Sequence, residues 1–151
     1  MANTQAMCTS FKGELLVGHH NFGTGVTRGS TAADTFKAAL YLASATVNAT
    51  TTAFSATNEV SGTGYTTGGV TVTFGTAPIT SGTTAFVTPS ASISFTTVTL
   101  STAFDAVLIY NSTQSNKAVS VHTFGSQTVT AGTFTLTMPT NDASTGLIRI
   151  A

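Results

Sequence analysis

Apolar residues alternate with threonine and other small polar residues along most of this chain, as in β-strands that bury one face. The stretch GGVTVTFG puts Val70, Val72 and Phe74 on one face and smaller groups on the other. The stretch GTFTLTMP repeats this pattern and ends at Pro139, which cannot continue a central strand. Segments of this kind, separated by turn-forming residues, predict strands near residues 35–42, 69–75, 84–88, 92–100, 105–111, 117–124, 132–138 and 146–150.

Two of the predicted strands form a hairpin that differs from the rest. The segment AVLIY, residues 106–110, is apolar on both faces, which is typical of a central strand covered on two sides. The returning strand places Val119 and Val121 on one face and a half-polar set that includes His122 and Phe124 on the other. Either a loop or the N-terminal helix covers this half-polar face, or a neighbouring subunit does.

One helix is predicted, in the segment SFKGELLVG. Ser10 is a suitable N-cap, Phe11 and Leu15 lie on one side, and Gly18 ends the element. Residues 1–9 have neither the charge nor the periodicity of an independent element. We expect them to form an arm, which either pairs with a neighbouring subunit or folds back on its own domain.

Residues 10–151 are predicted to form a single all-β domain, since short strands follow one another without intervening helices. The expected architecture is an antiparallel β-sandwich, jelly-roll or immunoglobulin-like, with one short N-terminal helix. Residues in like phases of alternating strands should line one interior between its two sheets. These residues are Val70, Val72, Phe74, Val107, Ile109, Val119, Val121, Phe134, Leu136 and Ile148.

The chain is poor in charge. Charged residues make up only 7% of it, against about 25% in an average soluble protein, and five acidic residues balance five basic ones. The basic residues are scattered singly, so no basic stripe for nucleic acid is present, and no apolar run reaches the roughly 18 residues of a membrane span. A neutral surface favours association, so the composition indicates a subunit held in an assembly, although secreted β proteins have similar compositions.

Candidate catalytic or metal-binding groups are few. Cys8 is the only cysteine, and the adjacent His19 and His20 point in opposite directions in an extended chain, so no metal-ligand spacing is present. No GxSxG motif marks a nucleophile, and nothing pairs Glu59 with a second carboxylate as in a glycosidase. The glycines of SGTGYTTGG lack the context of a phosphate loop and are interpreted as turn residues. We therefore expect no enzyme activity, no cofactor and no metal.

Several blocks of the chain occur together, and in the same order, in one family. They are SFKGELLVGHHNF near the start, DTFKAALY from Asp34, EVSGTGYTTGG from Glu59, AVLIYN from Ala106, AVSVHTFG from Ala118 and GTFTLTMPTNDASTGLIRI from Gly132. Through these blocks the chain resembles, over nearly its whole length, a family of small virion structural proteins of tailed bacteriophages and prophages.

The resemblance implies a non-catalytic accessory subunit of the virion, made in the host bacterial cytoplasm. The first expectation is a capsid decoration or cement protein that binds the major capsid protein on the outer shell surface. The alternative is a tail- or vertex-associated structural or adhesion protein. We further expect a homo-oligomer, in the form of a trimer, and no contact with nucleic acid or membrane. Six residues are predicted to lie at interfaces: Phe11, Leu15, Phe22, Tyr65, His122 and Phe124.

Overall fold

The protein folds into two antiparallel sheets. A computed structural model describes residues 3–8, 11, 15, 18–20, 22–24, 33–82 and 84–150. In these residues the strands are β1 (Ala6–Met7), β2 (Phe36–Leu42), β3 (Val70–Val72), β4 (Ile79–Ser81), β5 (Thr84–Val87), β6 (Ile93–Asn111), β7 (Lys117–Leu136) and β8 (Ile148–Ile150). The larger sheet has the order β1-β7-β6-β2-β3, and the smaller has the order β4-β5-β8. The two sheets pack as an all-β sandwich, which confirms the predicted fold class.

The long hairpin of β6 and β7 dominates the larger sheet. The sequence predicts four strands here, because the small and polar residues near 101–104 and 125–131 are typical of turns. The structure instead has two strands that continue through both stretches. Register shifts between Phe95 and Ala106 show that the ladder accommodates the extra residues as bulges. Thr97 and Ala131 lie in this part of the hairpin in the left-handed region, at φ of 54° and 44°.

The other predicted strands are present in shorter form as β2, β3, β5 and β8. The sequence pattern does not predict β1 and β4, which have only two and three residues. Strands of two or three residues are too short to show a recognisable alternation of apolar and polar residues. All three residues of β4 are also exposed, so this edge strand has no buried face that a pattern could reveal.

Register divides the larger sheet into two faces. Ala38 pairs with Ile109 on the face that carries Phe36, while Ala39 pairs with Leu108 on the opposite face. Residues 106–110 are all buried, which confirms the expectation of a central strand covered twice. The covering of the Leu108 face comes from the loop of residues 43–69, since Phe54 of that loop stacks on Tyr110 with 4.7 Å between ring centroids.

One predicted core residue lies on the wrong face. Val121 pairs with Leu108, so it points away from Val107 and Ile109, with which it was expected to share an interior. The alternation within a strand does not determine which face its partner strand matches. Next to the turn Tyr110 pairs with Ala118, but an irregularity between Ile109 and Tyr110 shifts the register by one residue, and this shift moves the following side chains of β7 to the other face.

The predicted N-terminal helix falls mainly on residues outside the described part of the chain. Of the segment from residue 10 to residue 18, only Phe11, Leu15 and Gly18 are described. Phe11 is fully buried and Leu15 is half-buried. The loop of residues 24–33 also lies outside the described residues except for its two ends.

Candidate interaction surface

An apolar cavity of about 250 Å³ lies beside the smaller sheet. Ala85 of β5 pairs with Ile150 of β8, so their side chains share the face of the sheet that lines this cavity. Three of the predicted interface residues line it as well, namely Phe11, Leu15 and Phe22. The described side chains around the cavity are all apolar, so it is suited to a hydrophobic side chain of another molecule.

A cluster of aromatic rings fixes the floor of the cavity. Phe22 stacks on Phe36 of β2 with 4.5 Å between ring centroids and meets the edge of Phe74 at 5.0 Å. Phe11 meets the edge of Phe22 at 5.9 Å. All four rings are buried, and such pairs add about 0.5–1.5 kcal/mol each beyond the area they bury. Phe11 and Phe22 therefore belong to the core of the folded chain, and of the three predicted residues only Leu15 is partly exposed.

Two large hydrophobic side chains of the smaller sheet are exposed. Ile150, which lines the cavity, is 44% exposed, and Ile79 of the edge strand β4 is 48% exposed. These are the large hydrophobic side chains that stand out as exposed among the described residues. Ile79 pairs with Phe86 and therefore lies on the face opposite Ala85 and Ile150, so we call Ile150 the cavity rim. Ile79 could not be recognised from the sequence, because a single isoleucine in a three-residue strand has no periodic context, and the alternation in β8 does not show that Ile148 is buried while Ile150 is exposed.

A second apolar area lies on the long hairpin. The ring of Phe134 contacts Phe104 at 5.0 Å and Phe124 at 5.1 Å between centroids. Phe104 is fully buried, whereas Phe124 and Phe134 are half-buried. His122 precedes Phe124 by two residues on β7, so alternation places both side chains on one face. We call His122, Phe124 and Phe134 the aromatic patch.

His122 is adapted to an apolar setting. Its Nε2 atom lies 2.9 Å from the hydroxyl oxygen of Ser120, and burial lowers the pKa of the imidazole to about 4. The ring is therefore neutral at neutral pH, as an apolar contact surface requires. Ser120 and His122 do not form an accessible nucleophile and base, because Ser120 is only 3% exposed.

Tyr65 lies apart from both apolar areas, in a buried hydrogen-bond network. Its hydroxyl donates to Oε1 of Glu59 at 2.7 Å and accepts from the backbone N–H of Leu40 at 3.0 Å. The N–H of Gly68 also donates to Oε1 of Glu59, at 2.8 Å. Glu59 is 8% exposed, and burial raises its pKa above the ordinary value. Tyr65 thus makes its polar contacts within the chain, and its interface role stays a prediction.

The glycines of this segment permit close contact between backbones. A side chain at Gly69 would overlap the carbonyl oxygen of Ala38, and one at Gly64 would overlap that of Thr97. Both glycines also have positive φ, at 70° and 78°. They are turn residues as predicted, but they also hold residues 62–69 directly against β2 and β6.

A separate polar network joins Asn111 to Asp34 and His20. The amide nitrogen of Asn111 lies 2.7 Å from Oδ2 of Asp34 and 3.1 Å from Nδ1 of His20. Asn111 is fully buried, and its Oδ1 accepts from the backbone N–H groups of residues 113 and 114. This network organises the end of β6. Within the described residues, no three His, Cys, Asp or Glu side chains are grouped as metal ligands.

Residues 3–8 of the predicted arm lie against their own chain. Ala6 and Met7 pair with Val121 and Ser120 of β7. The side chain of Asn3 donates to the carbonyl of residue 42 and accepts the N–H of residue 47, both at 3.1 Å. The single chain therefore adopts the second of the two alternatives considered for the arm, in which it folds back.

No known protein family, no curated protein and no solved structure matches this chain. In the part of the chain that the structure describes, no helix combines the length and apolar character needed to cross a membrane. The molecule is therefore characterised by its fold, an all-β sandwich, and by two apolar areas on a surface of low charge.

Proposed function

We propose that this chain is a structural subunit of a bacteriophage virion, where it binds the assembled capsid shell as a decoration or cement protein. The observation that carries the proposal is that two apolar areas open on a protein of zero net charge with only 7% charged residues. Such a surface is suited to permanent contact with other proteins. The ordered sequence blocks that resemble small virion proteins of tailed phages support the same class.

The two areas have different roles in this proposal. The aromatic patch joins copies of the chain in a cyclic homo-oligomer, because half-buried aromatic side chains are typical of lasting subunit contacts. The cavity rim contacts the major capsid protein, since β4 offers an edge for strand pairing next to a cavity for an apolar side chain.

The proposed mechanism is stabilisation by binding. A subunit that recognises the assembled shell, and not its free components, stabilises the shell by mass action. Threonine and serine at the contact lose little rotamer entropy when they are immobilised, so an uncharged surface of short side chains keeps the cost of ordering low. No catalytic role is part of this proposal.

Copy number in purified particles tests the location. Quantitative mass spectrometry of virions should find hundreds of copies if the protein covers the shell. A handful of copies would favour the alternative, a tail- or vertex-associated protein, and would contradict the decoration role. Absence from particles that carry the gene would contradict any virion role.

A binding assay tests the rim. Shells that lack this protein should bind the wild-type chain on sedimentation, and Ile150→Asp should reduce binding at least about tenfold, because a carboxylate would be buried against apolar groups. Thr128→Asp, which adds the same charge at an exposed position of β7, should bind like wild type. Equal binding by both variants, once each is verified as folded by circular dichroism, would contradict the assignment of the rim.

A further inference from the structure

The carboxyl group of Glu59 is buried with its two oxygens in different situations. Oε1 accepts hydrogen bonds from the Tyr65 hydroxyl and from the N–H of Gly68. Oε2 is buried and has no hydrogen-bond partner among the described residues. An ionised carboxylate with one dry, unpaired oxygen is costly, because burial removes the water that would otherwise solvate the charge.

Glu59 sits where the edge of β2 changes partners. β3 pairs with β2 only from Phe36 to Ala38, and residues 58–60 take over farther along. Leu40 donates its N–H to the Tyr65 hydroxyl in the gap between these partners. Glu59 holds that hydroxyl in place, so a carboxyl group and a phenol complete an interrupted edge of the sheet.

Release of this segment would uncover apolar surface. Tyr65 stacks on Phe95 of β6 with 5.8 Å between ring centroids. Phe95 is buried and lies 6.3 Å from the ring of Phe134 in the aromatic patch. Movement of residues 59–69 away from the sheet would therefore expose a ring that adjoins the patch.

The groups that face Glu59 oppose one another. Burial raises the pKa of its carboxyl group most strongly, while the bonds from Tyr65 and Gly68 and the charge of Lys37 lower it. The Tyr41 and Tyr110 hydroxyls also belong to this neighbourhood, and burial raises the pKa of each, so neither phenol ionises near neutral pH. The net effect on Glu59 is a raised pKa.

We propose that residues 58–69 form a proton-dependent latch, closed when the Glu59 carboxyl group is neutral and loosened from β2 when it ionises. Ionisation puts a charge on Oε2, and local opening of the segment to water is the nearest way to solvate it. The sign follows from linkage. An acid whose pKa is higher in the closed state than in the open state stabilises the closed state. This stabilisation is fully present below the ordinary pKa and is lost as the pH rises through the raised pKa.

Hydrogen exchange tests the latch on the isolated protein, independently of any virion role. The amides of Leu40 and Gly68 should lose protection at least about tenfold between pH 5 and pH 8, after correction for intrinsic exchange. A tenfold change in the opening equilibrium corresponds to a difference of about one unit between the pKa values of Glu59 in the closed and open states. The amide of Ala118, which donates to the carbonyl of Thr52, is the internal control and should not change in this way. Glu59→Gln should abolish the pH dependence. If the amides of Leu40 and Gly68 in Glu59→Gln lose protection between pH 5 and pH 8 as they do in wild type, the latch proposal is overturned.

A carboxyl titration provides a second readout should Glu59→Gln fold poorly. Glu59 and Glu14 are the only glutamates, so two glutamate side-chain ¹³C carboxyl signals are expected in addition to those of the three aspartates. One should titrate with a raised midpoint, and Tyr65→Phe should raise that midpoint further, because it removes a donor that favours the ionised form. Two ordinary midpoints, or a midpoint that Tyr65→Phe leaves unchanged, would overturn the proposal.

Discussion

The two halves of the β6–β7 hairpin share one ladder but differ in their surroundings. In the half nearer the turn, residues 106–111 of β6 are all buried. In the half farther from it, Ile93, Phe95, Val98 and Leu100 are buried while Ser94, Thr96 and Thr97 between them are exposed. The same strand is thus dry on both faces at one end and on a single face at the other.

The difference teaches how the hairpin divides its roles. The near half is covered on one face by the loop of residues 43–69 and can tolerate no polar side chain that lacks a partner. The far half presents threonine hydroxyls to water and ends in the half-buried rings of the aromatic patch. Stability should therefore depend chiefly on the near half, and association on the far half.

The largest expected effect is in the near half. Leu108→Ala should lower the free energy of unfolding by about 2–5 kcal/mol, since Leu108 is fully buried and the substitution leaves a cavity that the covered sheet cannot collapse. Urea denaturation measures this difference. A loss below about 1 kcal/mol would contradict the close packing of this half, because surface positions give values of that size.

A pH effect is expected at His122, where the two halves meet. The pKa of His122 is lowered to about 4 by burial, below the ordinary value of 6.5. Since the unfolded chain takes up the proton first, stability from this group is full above about pH 6.5 and is lost as the pH falls toward 4. The loss should be on the order of 2 kcal/mol.

His122→Gln isolates this effect, because urea denaturation at pH 7.5 and 4.5 can be compared in both proteins. The variant should lose less stability on acidification than wild type. An identical loss would place the titrating group elsewhere in the chain.

The far half should respond less to loss of a ring. Phe134→Ala should cost about 1–2 kcal/mol, because a half-buried ring has only part of its surface to lose. Phe104→Ala is the matched substitution in the same ring cluster, and it should cost about 3–5 kcal/mol since Phe104 is fully buried. Equal costs, measured by thermal and urea unfolding, would contradict the smaller contribution expected of the half-buried ring.

The smallest effect is expected on the threonine face. Thr135→Val replaces an exposed hydroxyl that lies 3.2 Å from the hydroxyl of Ser94, and both groups can bond to water instead. The stability should change by less than about 0.5 kcal/mol. A larger loss would show that hydroxyl pairs across the strands contribute to the fold.

Much of the architecture could be predicted from alternation alone. The alternation of apolar and polar residues predicts β2, β3, β5 and β8, and the apolar segment AVLIY predicts a strand that is covered on both faces. The continuity of β6 and β7 could not be predicted, because bulges and turns draw on the same small residues. The face of Val121 was missed because an irregularity between Ile109 and Tyr110 shifts the register by one residue, and alternation along one strand does not reveal such a shift.

The candidate site was less predictable. Phe11, Leu15 and Phe22 lie together at the cavity, and His122 and Phe124 lie together on the hairpin, but the two groups are separate areas. Nothing near Glu59 in the sequence marks it as buried, since its partners Tyr65 and Gly68 act through side-chain and backbone geometry.

The pairing of β1 with β7 has a consequence for synthesis of the chain. Ala6 is synthesised long before its partner Val121, and the two cannot pair until the residues between them have been made. Closing so long a loop is slow and is rewarded only after the intervening strands are in place. We therefore expect the β6–β7 hairpin to form first, β2 to join it next, and β1 to dock last.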